Sequence, residues 1–161
     1  MNLYIMVGAS GSGKSTFVKR HKKEDDIVIS TDEIRKELGD VSDQSKNALV
    51  FETEFDRLRK ADKDTYFDAT NLTMKSLKNV INEAVNFKDI TIYFMTASKN
   101  VDLCNRRIAE DLENGKDRSN VPEEVVEKMQ QKFLQLVRNM EDNAKQLSEM
   151  FSWHRIRFVL V

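Results

Sequence analysis

One cysteine, one proline and five glycines are all that 161 residues contain of the residue types that staple, break or loosen a chain. A lone Cys104 excludes an internal disulfide and a thiolate metal cluster. With Pro122 the only proline, and glycine this scarce, long flexible linkers are excluded, and neither repeats nor low-complexity tracts occur. Charge is nearly balanced, 26 Lys and Arg against 27 Asp and Glu. That balance argues against nonspecific coating of nucleic acid, while a local basic patch stays open. No apolar run approaches the roughly 20 residues of a membrane span, so no membrane partner is expected. The chain enters a strand directly rather than a signal peptide. What is present, 40% hydrophobic and 33% charged residues, suits one cored domain over 1–161. A reducing, cytoplasmic setting is the expectation.

Residues 8 to 16 read GASGSGKST. Gly8, Gly13, Lys14 and Ser15 fill the G-x-x-x-x-G-K-[ST] pattern, with Ala9, Ser10, Gly11, Ser12 and Thr16 completing the loop. An apolar strand, Leu3–Val7, precedes it, and a helix from Lys14 to about Lys22 follows. Glycines let the backbone curl so that several N–H groups face one phosphate, and the helix start adds its positive dipole end. Lys14 is expected on the β- and γ-phosphates, and the Ser15 hydroxyl on Mg²⁺. The chain is therefore expected to bind a nucleoside triphosphate.

Further strands are expected at Ile27–Ser30, Thr65–Asp68, Ile90–Met95 and Ile156–Val161. Helices are expected around Asp32–Leu38, Ser45–Lys60, Thr73–Asn86 and Val101–Glu113, with the longest from about Pro122 to Glu149. In that last one Val126, Met129, Phe133, Leu136, Met140 and Leu147 share a face. Alternating strands and helices predict an α/β fold of the P-loop NTPase type. It is a three-layer sandwich with a parallel sheet of about five strands, helices on both faces and a helical lid. Phe151, Trp153 and the methionines read as core; His21 and His154 read as surface or packing residues. The basic run Lys19–Lys23 falls where the first helix ends and complements its dipole.

Ligands in such sheets sit at the carboxyl ends of the strands, which singles out two places. The second strand runs into Ser30-Thr31-Asp32-Glu33-Ile34-Arg35. Asp32 there can accept a hydroxyl proton and Arg35, three residues on, can grip a phosphate. Alternatively Ser30 or Thr31 is an N-cap, Asp32 a favourable first-turn acid and Arg35 solvated. The third strand ends at Asp68-Ala69-Thr70-Asn71, where Asp68 can hold Mg²⁺ through water or orient a substrate. Otherwise it opens a turn, with Asn71 or Thr73 capping the next helix. Farther on, Arg106, Arg107 and Arg118 flank a polar loop between two helices, the pattern of a lid spanning about 104–121. The competing reading pairs Arg106 and Arg107 with Glu110 and Asp111 on a solvated face.

GASGSGKST, the Asp-x-x-Arg element in STDEIR, FDATN, and the arginine-bearing lid followed by Pro122-Glu123-Glu124 come in this order across nearly the whole chain. Together they resemble the kinase domain of 5′-OH polynucleotide kinases, P-loop phosphotransferases related to the zeta-toxin-like and small-metabolite kinases. The resemblance implies ATP and Mg²⁺ as cofactors and a nucleic-acid 5′-OH end as acceptor. It implies Lys14 and Ser15 on the phosphates and metal, Asp32 as general base, and Arg35 on the acceptor's phosphate. Asp68 and Asn71 would support the acceptor side, and Arg107 and Arg118 would contact the donor. An acceptor pocket would be built from the Gly39–Asn47 loop and the following helix. A small-metabolite kinase, or a nucleotide-dependent switch, is the alternative.

Overall fold

The computed structural model of the protein describes residues 1–39, 47–116 and 118–161. Its centre is β1 (Asn2–Val7), in which Leu3, Ile5, Met6 and Val7 are fully buried. Such a strand alternates little in polarity because helices cover it from both sides. β2 (Ile27–Ser30), β3 (Thr65–Asp68), β4 (Asp89–Phe94) and β5 (Arg155–Leu160) complete a five-stranded sheet in the order β2-β3-β1-β4-β5. Every pairing is parallel, with Leu3 opposite both Thr65 and Ile90. All five predicted strands are present, each within a residue or two of its expected bounds.

The helices are α1 (Lys14–His21), α2 (Thr31–Leu38), α3 (Asn47–Lys60), α4 (Met74–Glu83), α5 (Val101–Glu113), α6 (Glu123–Arg138) and α7 (Met140–Met150), with a 3-10 turn at Thr96–Lys99. Local chemistry sets their starts. The Ser30 hydroxyl accepts the Glu33 N–H at 3.3 Å to open α2, with Asp32 and Glu33 in its first turn. Thr73 caps α4 through the Ser76 N–H, and Asn100 caps α5 through the Leu103 N–H. Lys19, Arg20 and His21 end α1, where their charge complements the dipole.

One sheet face carries the main core. Leu3, Ile5, Ile29, Phe67, Ile92 and Phe94 pack there against Ile34, Leu58, Leu77, Ile81, Phe133 and Leu147 of the helices. On the other face Phe17 and Val18 of α1 meet Met6, Tyr66, Tyr93 and Met95. A third cluster, Ala9, Cys104, Ile108 and Val126, joins the glycine loop to α5 and α6. Among the described residues no helix is long and apolar enough to cross a membrane.

The segment predicted as one helix over 122–149 is two. Asn139 separates α6 from α7, its Nδ2 donating to the Gln135 carbonyl at 3.2 Å, while Asn143 Nδ2 donates to Leu136 at 3.3 Å. Amide side chains compete for helix carbonyls and so favour a break. Phe133, Leu136 and Leu147 nonetheless share the main core. Trp153, expected inside, is 53% exposed in the turn after α7, where Lys88 covers its ring at 5.3 Å. Phe151 does pack on the core. Met1 and Met150 are exposed, so the reading of methionine as core filler fails at those two positions. His154 is half-buried, with Nδ1 2.5 Å from the Phe87 carbonyl.

Candidate active site

β1 ends at the point where the sheet order reverses, between β3 and β4, and the glycine loop leaves from there. Gly11 has φ +80° and Gly13 φ +95°, the left-handed region that L side chains avoid. A Cβ on Gly11 would stand 2.4 Å from the Cys104 carbonyl oxygen, so the loop lies directly on α5. The Gly8 N–H donates to Thr70 at 3.0 Å, and the Ala9 N–H to the Ser98 hydroxyl at 2.9 Å. Ser98 was not foreseen from the sequence, because nothing marks a serine in a short turn as a strut. Gly13 heads α1 without a side-chain cap, which leaves the helix start to an anion.

Lys14 Nζ donates to the carbonyls of Gly8 at 3.0 Å and Ala9 at 2.9 Å. Desolvation lowers its pKa, and the nearby Asp68 and Asp32 act in the opposite direction. The Ser15 hydroxyl donates to Asp68 Oδ2 at 2.7 Å. Asp68 is 7% exposed; burial pushes its pKa up, against the pull of Lys14 and Ser15. Hydroxyl and carboxylate oxygens side by side suit a hard cation such as Mg²⁺, which takes few protein ligands and completes its shell with phosphate and water. Among the described residues there is no group of three or more His, Cys, Asp or Glu that could hold a metal ion.

Asp32 and Arg35 both project from the first turns of α2, Asp32 Oδ1 lying 3.9 Å from Arg35 Nη1. Asp32 is half-exposed, whereas Arg35 is 14% exposed and donates through Nη2 to Asn47 Oδ1 at 2.9 Å. Of the two readings of this stretch, Ser30 does cap the helix and Asp32 is exposed in its first turn, but Arg35 is not solvated: it is largely buried against α3. On the lid side, the Ser119 hydroxyl reaches Asp32 Oδ1 at 3.4 Å. Arg107 Nη1 donates to the Gly11 carbonyl at 3.3 Å, so this arginine arches over the glycine loop. Arg118 pairs with Asp111 at 2.7 Å, and its charge acts on Lys14. Arg106 is exposed. The pairing of Arg107 with Asp111 on a solvated face is not what forms, since Asp111 takes Lys116 and Arg118 instead.

Asn71 lies inside the fold. It is 6% exposed with φ +48°, and its Nδ2 donates to the Met6 carbonyl at 2.8 Å. The side chain thus fastens the end of β1 to the turn after β3, and its donor is spent there rather than on a ligand. Residues 40–46 of the expected acceptor loop lie outside the described residues.

A family model described as an AAA domain matches residues 3–136. No curated protein matches the chain. Among solved structures, one chain from the Pnkp1/Rnl/Hen1 complex superposes with TM-score 0.49 and 27% identity, covering 58% of this chain and 35% of that one. The chain thus spans about a third of that relative's length. Another comes from the PezAT chromosomal toxin-antitoxin system of Streptococcus pneumoniae, with TM-score 0.50 and 15% identity over 98% of this chain and 67% of that one. That second likeness is one of fold. With its glycine loop at the switch point of a parallel sheet, the chain is a P-loop α/β domain and belongs to the AAA domain family.

Proposed function

We propose that the protein transfers the γ-phosphate of ATP to the 5′-hydroxyl end of a polynucleotide, DNA or RNA. The observation that carries this reading is the Asp32–Arg35 pair: an open carboxylate beside a guanidinium held by Asn47, 3.9 Å apart at the edge of the phosphate loop. An acceptor that brings a hydroxyl and a phosphate together meets both. The terminal nucleotide of a strand, joined to its neighbour through a phosphate, has that chemistry.

In this reading Asp32 takes the proton of the attacking hydroxyl and Arg35 holds the neighbouring phosphate through its planar fork. Lys14, Arg107 and Arg118 neutralise charge that develops on the transferring group. Ser15 and Asp68 would hold Mg²⁺, which when bound offsets charge on the β- and γ-phosphate oxygens. A switch protein needs water positioned rather than an alcohol deprotonated, and Asp32 has no task in it.

The test is transfer of label from γ-labelled ATP with Mg²⁺ to 5′-OH DNA and RNA oligonucleotides. Oligonucleotides already 5′-phosphorylated and the Asp32→Ala protein run beside them. Label on the 5′-OH ends alone, lost in Asp32→Ala while nucleotide still binds, is the expected result. ATP consumed with label on a small alcohol and none on oligonucleotide would replace this reading with a metabolite kinase.

A further inference from the structure

Two carboxylates are buried among the described residues, Asp68 and Glu54. Asp68 stands at the phosphate loop; Glu54 has no place in the chemistry described so far. It sits on the inward stripe of α3, between Val50 and Leu58, and is 2% exposed. A buried carboxylate costs stability unless it is partnered, and an apolar residue of similar size would pack there at no such cost.

The partners of Glu54 are on α2. Thr31 Oγ1 donates to Glu54 Oε1 at 2.5 Å, and the Arg35 charge acts on the same carboxylate. Thr31 immediately precedes Asp32, and Arg35 lies one turn beyond it. Arg35 is held from α3 as well, by Asn47, while its Nε is buried without a hydrogen-bond partner. The acid on α3 therefore holds α2 by a hydrogen bond just before Asp32, and Asn47, also on α3, holds Arg35 beyond it.

We propose that Glu54 is a positioning residue for the acceptor side: it fixes the separation of Asp32 from Arg35 by anchoring Thr31 and balancing the Arg35 guanidinium. This rests on Asp32 and Arg35 serving the acceptor, and it adds a determinant of acceptor affinity that touches no substrate. A hydrogen bond to a charged group is among the stronger ones, and its loss corresponds to a change of about tenfold or more in an equilibrium.

The test compares Glu54→Gln, which keeps an oxygen for Thr31 but removes the charge, with Thr31→Val, which removes the hydrogen bond but keeps the charge. Glu54→Gln, whose neutral amide keeps the Thr31 hydrogen bond in a weaker form and no longer offsets the Arg35 charge, is expected to raise KM for a 5′-OH oligonucleotide about fivefold, with KM for ATP within about twofold of wild type. Thr31→Val is expected to act on kcat, through Asp32. Alongside, the NMR resonance of Arg35 Nε–H is followed in the unliganded protein. In Glu54→Gln it should shift, because the carboxylate charge that acts on the guanidinium is gone while Asn47 still holds Nη2. Acceptor KM and the Arg35 resonance both unchanged in a folded Glu54→Gln protein would overturn the proposal. Should the wild type label no oligonucleotide, the polynucleotide reading falls by itself, and the Arg35 resonance still decides the role of Glu54.

Discussion

Ser15 and Asp68, 53 residues apart in sequence, meet side chain to side chain, the serine hydroxyl donating to the aspartate at 2.7 Å. The contact joins the first turn of α1 to the end of β3 and brings together two oxygens from neighbouring strands' carboxyl ends. Asp68→Asn keeps the shape and removes the charge. It should raise the Mg²⁺ concentration needed for half-maximal phosphate transfer about 10–100-fold, the range seen when a metal's supporting groups are removed. Nucleotide affinity measured without metal should change little. A Mg²⁺ titration of activity decides it, and a profile like that of wild type would exclude Asp68 from the metal's surroundings.

Gly11→Ala places a methyl 2.4 Å from the Cys104 carbonyl oxygen and forces an L residue to φ +80°. The left-handed conformation alone costs about 1–2 kcal/mol, and the backbone contact can be relieved only by moving the loop off α5. The expected outcome is loss of the upward Tm shift that ATP gives the wild type, at saturating ATP, with far-ultraviolet circular dichroism unchanged. An undiminished shift would show that the loop tolerates displacement.

The expected lid segment between α5 and α6 is tied to α5 at Asp111. Partial burial works to raise its pKa, yet hydrogen bonds from Arg118 and Lys116 outweigh this and hold the carboxyl below its ordinary value of 3.8. A carboxyl depressed in the fold stabilises it above the unfolded-state pKa, and that contribution is lost as pH falls through the folded one. Acid should therefore loosen the α5–α6 connection before the core. Hydrogen exchange of the α5–α6 connection should rise as pH drops below about 3.8, relative to Asp111→Asn, which should be loose at all pH values. Equal protection in both proteins at neutral pH would dismiss the Asp111–Arg118 pair as an anchor of the α5–α6 connection.

Phe133 is fully buried and meets Phe94 edge-on, with ring centroids 6.3 Å apart. Truncation to Ala removes that contact and opens a cavity between α6 and the sheet, at an expected cost of about 3–5 kcal/mol. Urea unfolding should show a lower midpoint with an unchanged slope. A loss below about 1 kcal/mol would mean that α6 collapses onto the sheet without it.

Much of this was legible in the chain because it is written locally. Apolar runs such as Leu3–Val7 need no partner to be recognised, and GASGSGKST carries its own geometry in its glycines. Ser30 and Thr73 as caps follow from adjacent residues. What escaped depends on neighbours distant in sequence. Glu54 did leave a mark, an acid in the Val50–Glu54–Leu58 stripe, but its meaning required α2 beside it. Ser98 left none. Asn71 entered as a site residue through the FDATN resemblance, and that its amide fastens the end of β1 depends on the Met6 carbonyl 65 residues away. Asn139 breaks a helix whose apolar spacing runs on undisturbed, since periodicity reports the buried face and not the continuity of the backbone.

The order of the strands bears on how the molecule is made. β1 is translated before either of its neighbours, which are encoded far downstream, with Leu3 waiting for Thr65 and then Ile90. Pairings of that separation form late, since loop closure must precede their reward. The glycine loop is thus translated early and given walls late, after Asp68, Ser98 and Cys104 have emerged to hold it. A nascent chain halted before β4 would carry the whole glycine-loop sequence without the Ser98 and Cys104 that brace it.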